Sequence, residues 1–150
     1  MEEEAANGNG NIITLPTEYQ RFIHLSRYAR FNEQLGRRET WSDTITRYLD
    51  FFEEHLTENF PKAVDSYKKV RPELEAAITS LEVMPSMRCL MAAGKPLRRD
   101  AVAGYNCSFL SVDSIRAFDE TMYILMCGTG VGFSVQRQEV ASLPVVAEDC

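Results

Sequence analysis

Four cysteines are the residues of this sequence whose side chains could carry redox or nucleophilic chemistry. Cys89, Cys107, Cys127 and Cys150 are widely spaced, and no two of them form a CxxC pair. This spacing suggests neither a zinc site nor a small disulfide framework, so we expect free thiols in a reducing compartment. Burial as a small apolar side chain is the ordinary alternative to a chemical role for each of them.

A glycine-rich run at residues 128–132 (GTGVG) looks at first like a phosphate-binding loop. Such loops normally run from a strand into a helix, whose N-terminal amides face the phosphate. Here the run follows a predicted helix, and no Walker lysine comes after it. Helix termination with close backbone packing is therefore the favoured interpretation.

Several other functions find no support in the sequence. His24 and His55 have no acidic or cysteine partner at metal-ligand spacing, so we predict no metal site and take each as an ordinary helix-face residue. No G-x-S-x-G string indicates a hydrolytic triad. The net charge of −6 and the pI near 5.0 argue against a protein that binds nucleic acid.

The first half of the chain is predicted to be helical. Apolar positions predict a helix over about residues 17–34, and Thr40 or Ser42 is expected to cap a second helix. One face of the second helix carries apolar side chains, namely Trp41, Ile45, Tyr48, Leu49 and Phe52. A break near residues 59–61 should precede a third helix, with Pro72 in its first turn.

The second half has the pattern of an α/β domain. Glycine and proline separate short apolar stretches from residue 83 onward. A strand that ends near Ser111, a helix and a buried strand at residues 131–135 predict a strand–helix–strand unit over about residues 106–135. We thus divide the chain into a helical region at 16–82 and the start of an α/β domain at 83–150.

Residues 1–15 are predicted to form a disordered tail, because they combine carboxylates with glycine and asparagine and have no apolar periodicity. The tail has neither the basic flank nor the apolar stretch of a signal peptide, and no later run of apolar residues could span a bilayer. We therefore expect a cytoplasmic protein that does not associate with membranes.

Several local strings, taken in order, resemble the monomeric, adenosylcobalamin-dependent (class II) ribonucleotide reductases over nearly the whole chain after Leu15. Each string alone is weak, but their joint order and spacing are specific. The strings are RYAR at 27–30, ETW at 39–41, MPSMR at 84–88, GYNCSF at 104–109, FDE at 118–120 and GTGVGFSV at 128–135.

The resemblance implies a fold and a role for one cysteine. In that family the catalytic domain is a ten-stranded α/β barrel, and a finger loop inside it carries a cysteine that becomes a thiyl radical. Cys107 matches the cysteine on the first barrel strand, one of a pair that delivers two electrons to the ribose and becomes a disulfide. The resemblance thus makes Cys107 the expected catalytic residue of this chain.

Four further residues acquire expected roles from the resemblance. Ser86 and Ser108 match positions where hydroxyls or nearby amides contact the substrate nucleotide. A cap for the turn after Pro85 is an equally good explanation of Ser86. Asp113 and Ser114 follow the strand near which related reductases bind a specificity effector, and a helix N-cap at these residues is compatible with either role.

The resemblance also implies partners: a ribonucleoside di- or triphosphate, a deoxynucleotide effector, adenosylcobalamin and a thioredoxin-like reductant. The radical cysteine, the partner of Cys107 and most of the cobalamin site would lie beyond Cys150, so this piece alone is expected to be inactive. Two alternatives stay open, a class I large chain with a separate radical-generating subunit and a non-catalytic helical or nucleotide-binding module. Cys150 itself is either an artificial boundary or the first residue of an intein.

Overall fold

The computed structural model describes residues 15–143 and residue 145. The chain divides into two compact units, Met1–Lys95 and Pro96–Cys150, and each is described by itself. Of the predicted tail only Leu15 is among the described residues, and its side chain is buried. Because compact units and functional domains need not coincide, the predicted boundaries after residues 15 and 82 stay predictions.

The first unit is mostly helical. Its elements are α1 (Glu18–Ile23), a π-helical turn (His24–Tyr28), β1 (Phe31–Asn32), β2 (Arg37–Arg38), α2 (Trp41–Asn59), α3 (Pro61–Thr79) and α4 (Met87–Ala92).

The single helix predicted over residues 17–34 is wrong in its second half. Thr17 caps α1 with a capping box, and the helical chain ends at the π turn. An antiparallel hairpin of β1 and β2 follows. The Asn32 side chain accepts hydrogen bonds from the amides of Gln34 and Leu35, and Gly36 has a φ of +63°. These turn-forming residues outweigh the helical spacing of the apolar positions.

The core of the first unit is built on α2. Thr40 caps this helix in a capping box with Asp43, which confirms one of the two predicted caps. The predicted apolar face is confirmed for its buried members Trp41, Ile45 and Leu49. These three side chains pack with Leu15, Ile78 and Leu90 in one hydrophobic cluster. The helix is thus held by burial of a continuous apolar stripe.

The third helix begins earlier than predicted. The break after Asn59 is confirmed, but α3 starts at Pro61 and continues to Thr79, so Pro72 lies inside the helix and not in its first turn. Pro61 suits the first helical position because its missing N–H would have no helical partner there. At Pro72 the Lys68 carbonyl loses its amide donor, but Lys68 is exposed and water can replace the donor.

The second unit contains a parallel strand–helix–strand motif. From the boundary onward the elements are α5 (Lys95–Arg99), a 3₁₀ turn (Ala101–Gly104), β3 (Cys107–Phe109), α6 (Arg116–Met126), β4 (Gly130–Gly132) and α7 (Arg137–Ala141). Strands β3 and β4 pair in parallel, with Cys107 opposite Gly130. The predicted strand–helix–strand unit is confirmed, although the second strand is shorter and begins earlier than predicted.

The start of α6 differs from the prediction that Asp113 or Ser114 caps it with a side chain. Ile115 occupies the cap position and makes no side-chain capping bond. The backbone carbonyl of Ser114 accepts the Ala117 amide instead, at 3.1 Å. Because a backbone acceptor already satisfies this amide, the helix begins without a capping side chain.

Across the described residues the chain is rich in helix and forms two two-stranded sheets. None of the helices in this part is long and apolar enough to cross a bilayer. Large apolar side chains of the second unit are exposed, among them Phe118, Met122 and Met126 of α6. The ten-stranded barrel stays a proposal.

Candidate active site

Cys107 is the first residue of β3, and its side chain is exposed. The ordinary expectation that a cysteine is buried is therefore wrong for Cys107, whereas Cys89 and Cys127 are partly buried. None of these three forms a disulfide, and Cys150 lies outside the described residues. Cys107 thus has the accessibility that a reacting thiol needs.

The strand opposite Cys107 has a glycine on each side of Val131. A Cβ at Gly130 would lie 3.4 Å from the Asn106 carbonyl oxygen, and one at Gly132 would lie 3.6 Å from the Ser108 carbonyl oxygen. Gly128, just after α6, has a φ of +87°. Helix termination, one part of the interpretation favoured from sequence, is confirmed by Gly128, whereas a Cβ at Gly130 or Gly132 would make only ordinary van der Waals contacts.

Ser108 does not share a strand face with Cys107, because successive side chains of a strand point to opposite faces. Its hydroxyl donates a hydrogen bond to the Gly130 carbonyl at 3.0 Å, and the residue is half-buried. The hydroxyl oxygen still has lone pairs free to accept. On the Cys107 face, β3 therefore carries the exposed Phe109 side chain and not that of Ser108.

Ser86 lies in the first unit and caps α4. Its hydroxyl accepts a hydrogen bond from the Cys89 amide at 3.4 Å, and the residue is exposed. The capping interpretation of Ser86 therefore has direct geometric support. Contact with the substrate stays a prediction.

Asp113 and Ser114 lie in the loop between β3 and α6, and both are exposed. This loop follows the strand that carries Cys107. Their predicted role in binding an effector stays a prediction.

Three residues that the sequence did not single out surround the 3₁₀ turn in front of β3. One Asp100 carboxylate oxygen accepts the Val102 amide at 2.8 Å, and the other accepts the Tyr123 hydroxyl. Thr129 is almost fully buried and points its hydroxyl at the same turn. Asp100 directly precedes the turn, which is a capping signal, but the contacts of Tyr123 and Thr129 are long-range in sequence.

Cys127, at the end of α6, is a less reactive thiol. Partial burial and the nearby Asp100 carboxylate, whose oxygen lies 3.9 Å from Sγ, raise the pKa of the Cys127 thiol. A raised pKa keeps the sulfur protonated near neutral pH, and the protonated thiol is the poor nucleophile.

The described residues contain no group of three or more His, Cys, Asp or Glu side chains able to hold a metal ion, and both histidines make other contacts. His55 is exposed and stacks on Phe51. His24 is not an ordinary helix-face residue, because it is buried, with Nε2 2.9 Å from the Thr44 hydroxyl and its ring edge against Trp41. Burial lowers the pKa of His24.

Acidification from pH 7 to pH 5 is expected to destabilise the first unit through His24. A lowered folded-state pKa means that the unfolded chain binds the proton more readily, so the contribution is complete above the ordinary pKa of 6.5 and is lost as pH falls. The slope should reach at most about 1.4 kcal/mol per pH unit. Urea unfolding followed by Trp41 fluorescence measures it.

One variant tests the contribution of His24. His24→Gln should flatten the slope between pH 7 and pH 5, because it removes the buried imidazole whose pKa burial lowers. The pKa values of Glu39 and Asp43 are lowered, so the stability that these carboxylates contribute is lost mainly below pH 4.5. An unchanged slope in His24→Gln would contradict the assignment.

Two known proteins resemble this chain in sequence or in structure. The adenosylcobalamin-dependent ribonucleoside-triphosphate reductase of Lacticaseibacillus paracasei is 29% identical, over 80% of this chain and 20% of the reductase. A crystal structure of a B12-dependent (class II) ribonucleotide reductase matches with a TM-score of 0.70 and 25% identity, over 83% of this chain and 21% of that one. No protein-family model matches the chain.

Both comparisons confirm the resemblance that the ordered strings indicate. The chain spans about a fifth of the length of each relative. In sequence and in fold, this chain is therefore similar to a part of the adenosylcobalamin-dependent, class II ribonucleotide reductases.

Proposed function

We propose that this chain is part of a ribonucleotide reductase that converts ribonucleotides to 2′-deoxyribonucleotides, the precursors of DNA. The observation that carries the proposal is the exposed Cys107 at the start of β3, beside Gly130 and Gly132 of β4. A thiol in this position can reach a ligand because no side chain of the opposite strand stands above the backbone at Gly130 and Gly132. The similarity to class II reductases supports the same assignment.

The reaction assigns Cys107 a defined redox role. Two thiols lose two electrons and two protons and become a disulfide, while the 2′-hydroxyl of the ribose leaves as water and hydrogen takes its place. Cys107 is one of these thiols, and the partner thiol lies outside this chain. A third cysteine, also outside it, carries the thiyl radical. A thioredoxin-like dithiol then reduces the disulfide by exchange.

We assign the substrate and the effector to two different sets of residues. We assign the nucleotide to the Ser86 hydroxyl and to the backbone of β3 around Ser108, because a hydroxyl and an amide both suit sugar and phosphate oxygens. Asp113 and Ser114 are assigned to a deoxynucleotide effector, which suits their exposure in a loop.

The cofactor of the proposed reductase is adenosylcobalamin, which supplies the initiating radical when bound. We assign most of its site to residues outside the described part of the chain. The described residues that take part in the reaction bind substrate and hold the Cys107 thiol in place. The complete reductase is assigned to the cytoplasm.

Cofactor dependence of turnover tests the proposal. The complete protein that contains this chain is incubated with a ribonucleoside di- or triphosphate and dithiothreitol, and deoxynucleotide is measured. We expect turnover with adenosylcobalamin and none with a cobalamin that lacks the adenosyl group. Turnover that needs a metal-containing protein partner instead would contradict the class II assignment, and no turnover under either condition would favour the non-catalytic module.

A further inference from the structure

The segment that precedes β3 is held in place by hydrogen bonds from one buried hydroxyl. Thr129 is 1% exposed, and its Oγ1 lies 2.7 Å from the Val102 carbonyl oxygen and 3.0 Å from the Tyr105 carbonyl oxygen. A hydroxyl has one proton to donate, so the two carbonyls share it. These carbonyls lie within and directly after the 3₁₀ turn, two to five residues before Cys107.

The backbone around Thr129 is fixed on both sides. Its amide donates to the Ile124 carbonyl of α6 at 3.3 Å, and the next amide, of Gly130, donates to the Asn106 carbonyl at 3.0 Å. Thr129 therefore sits at a rigid junction of α6 and β4. Through this junction the end of the 3₁₀ turn is tied to the strand that pairs with β3.

The opposite end of the same turn is held by Asp100, whose carboxylate accepts the Val102 amide at 2.8 Å and also the Tyr123 hydroxyl. The turn is thus fastened to α6 at its start and to the junction at its end. Because the Cys107 side chain is exposed, the direction of its sulfur depends on this backbone and not on packing around the thiol.

We propose that Thr129 is a positioning residue for Cys107, in that its hydroxyl fixes the backbone from which the thiol projects. This inference rests on the proposed function of Cys107. A thiol that must form a bond with a second sulfur has narrow geometric tolerance, so freedom in the entering segment reduces the rate of the step without removing the thiol.

Three substitutions in the complete protein test the role of the hydroxyl. Thr129→Val and Thr129→Ala remove it, whereas Thr129→Ser keeps it. The alanine variant avoids placing a methyl group against two carbonyl oxygens, so it decides the question if the valine variant does not fold. Thr121→Val is the matched control, because it removes a hydrogen bond of 2.8 Å that the Thr121 hydroxyl donates to the Ala117 carbonyl within α6 of the same unit.

The expected result is a loss of kcat with little change in KM. Thr129→Val and Thr129→Ala should reduce kcat on the order of tenfold to a hundredfold, the scale of a small misplacement of a reacting group. Amide hydrogen exchange in residues 101–109 should become faster in the same two variants. Thr129→Ser and Thr121→Val should keep both the kcat and the exchange rates of the parent protein.

Three outcomes would overturn the inference: a folded Thr129→Ala variant with parental kcat, a Thr129→Ser variant as slow as Thr129→Ala, or an equal loss in Thr121→Val. Failure of the proposed function has a different signature. In that case Cys107→Ser keeps full turnover. Faster amide exchange in residues 101–109 of Thr129→Ala would still show that the Thr129 hydroxyl stabilises the 3₁₀ turn.

Discussion

Cys107→Ser in the complete protein is expected to abolish deoxynucleotide formation, with a loss of turnover on the order of a thousandfold or more. A serine hydroxyl has nearly the shape of a thiol but cannot be oxidised to a disulfide, so the two electrons have no donor. Because Cys107 is exposed on β3, the substitution leaves no cavity and should not change folding. Turnover and the circular dichroism spectrum measure the two effects.

Cys127→Ser is the matched control for this experiment. Cys127 lies in the same unit, at the end of α6 and outside β3, and its thiol has a raised pKa. The variant should therefore keep parental turnover. If Cys107→Ser turns over like the parent protein, the catalytic assignment is wrong and the non-catalytic module becomes the better hypothesis.

Local sequence was sufficient where one short segment determines the structure. The capping box of Thr40 and Asp43 and the stripe of Trp41, Ile45 and Leu49 lie within three turns of one helix, so their spacing predicts α2 directly. The parallel strand–helix–strand motif is predictable for a similar reason, because turn residues and a change of apolar period mark its ends.

Local sequence failed where two local signals compete. The apolar positions predict a helix that continues to about residue 34, but the Asn32 side chain and Gly36 form a hairpin turn in its last part. Proline often occupies the first turn of a helix, which is why Pro72 is expected there. Pro61 occupies that position instead, and the exposed Lys68 tolerates the loss of the amide donor at Pro72.

The candidate site also contains one residue that the sequence predicts and others that it does not. Cys107 could be chosen because an ordered set of strings surrounds it. The contact of Thr129 with the 3₁₀ turn could not be predicted, because its hydroxyl binds carbonyls 24 and 27 residues away. A sequence pattern does not show which backbone carbonyl a distant hydroxyl will bind. The burial of His24 was missed for the same reason, since its partner Thr44 lies on another helix.

Arg47 is expected to be the side chain whose loss most destabilises the first unit. Its guanidinium binds both carboxylate oxygens of Glu39, at 2.7 and 3.0 Å, and donates to the carbonyls of Leu90 and Ala93 at 3.1 and 2.9 Å. The two charged side chains are only 17% and 11% exposed. Arg47→Met would leave a buried carboxylate and two carbonyls without their donor.

The expected loss is about 3–5 kcal/mol in the free energy of unfolding, the usual cost of breaking a buried pair by removing one partner. Urea unfolding followed by fluorescence of Trp41, the single tryptophan, measures it. Arg37→Met is the control, because the Arg37–Asp43 pair is 37% and 41% exposed and should cost less than about 1 kcal/mol.

Removal of the charge on Glu39 should recover part of the loss. Burial alone would raise the pKa of Glu39, but hydrogen bonds from Arg47 and the Arg30 amide and the charge of Arg47 lower it. The carboxylate therefore stabilises the fold above its ordinary pKa of 4.5, and Arg47 contributes the first of the interactions that lower that pKa. Glu39→Gln combined with Arg47→Met should be more stable than Arg47→Met alone, because the amide oxygen can still accept from Arg30 without leaving a buried charge. Equal stability of the double and single variants would show that the cost comes from the unpaired carbonyls of Leu90 and Ala93 and not from the carboxylate.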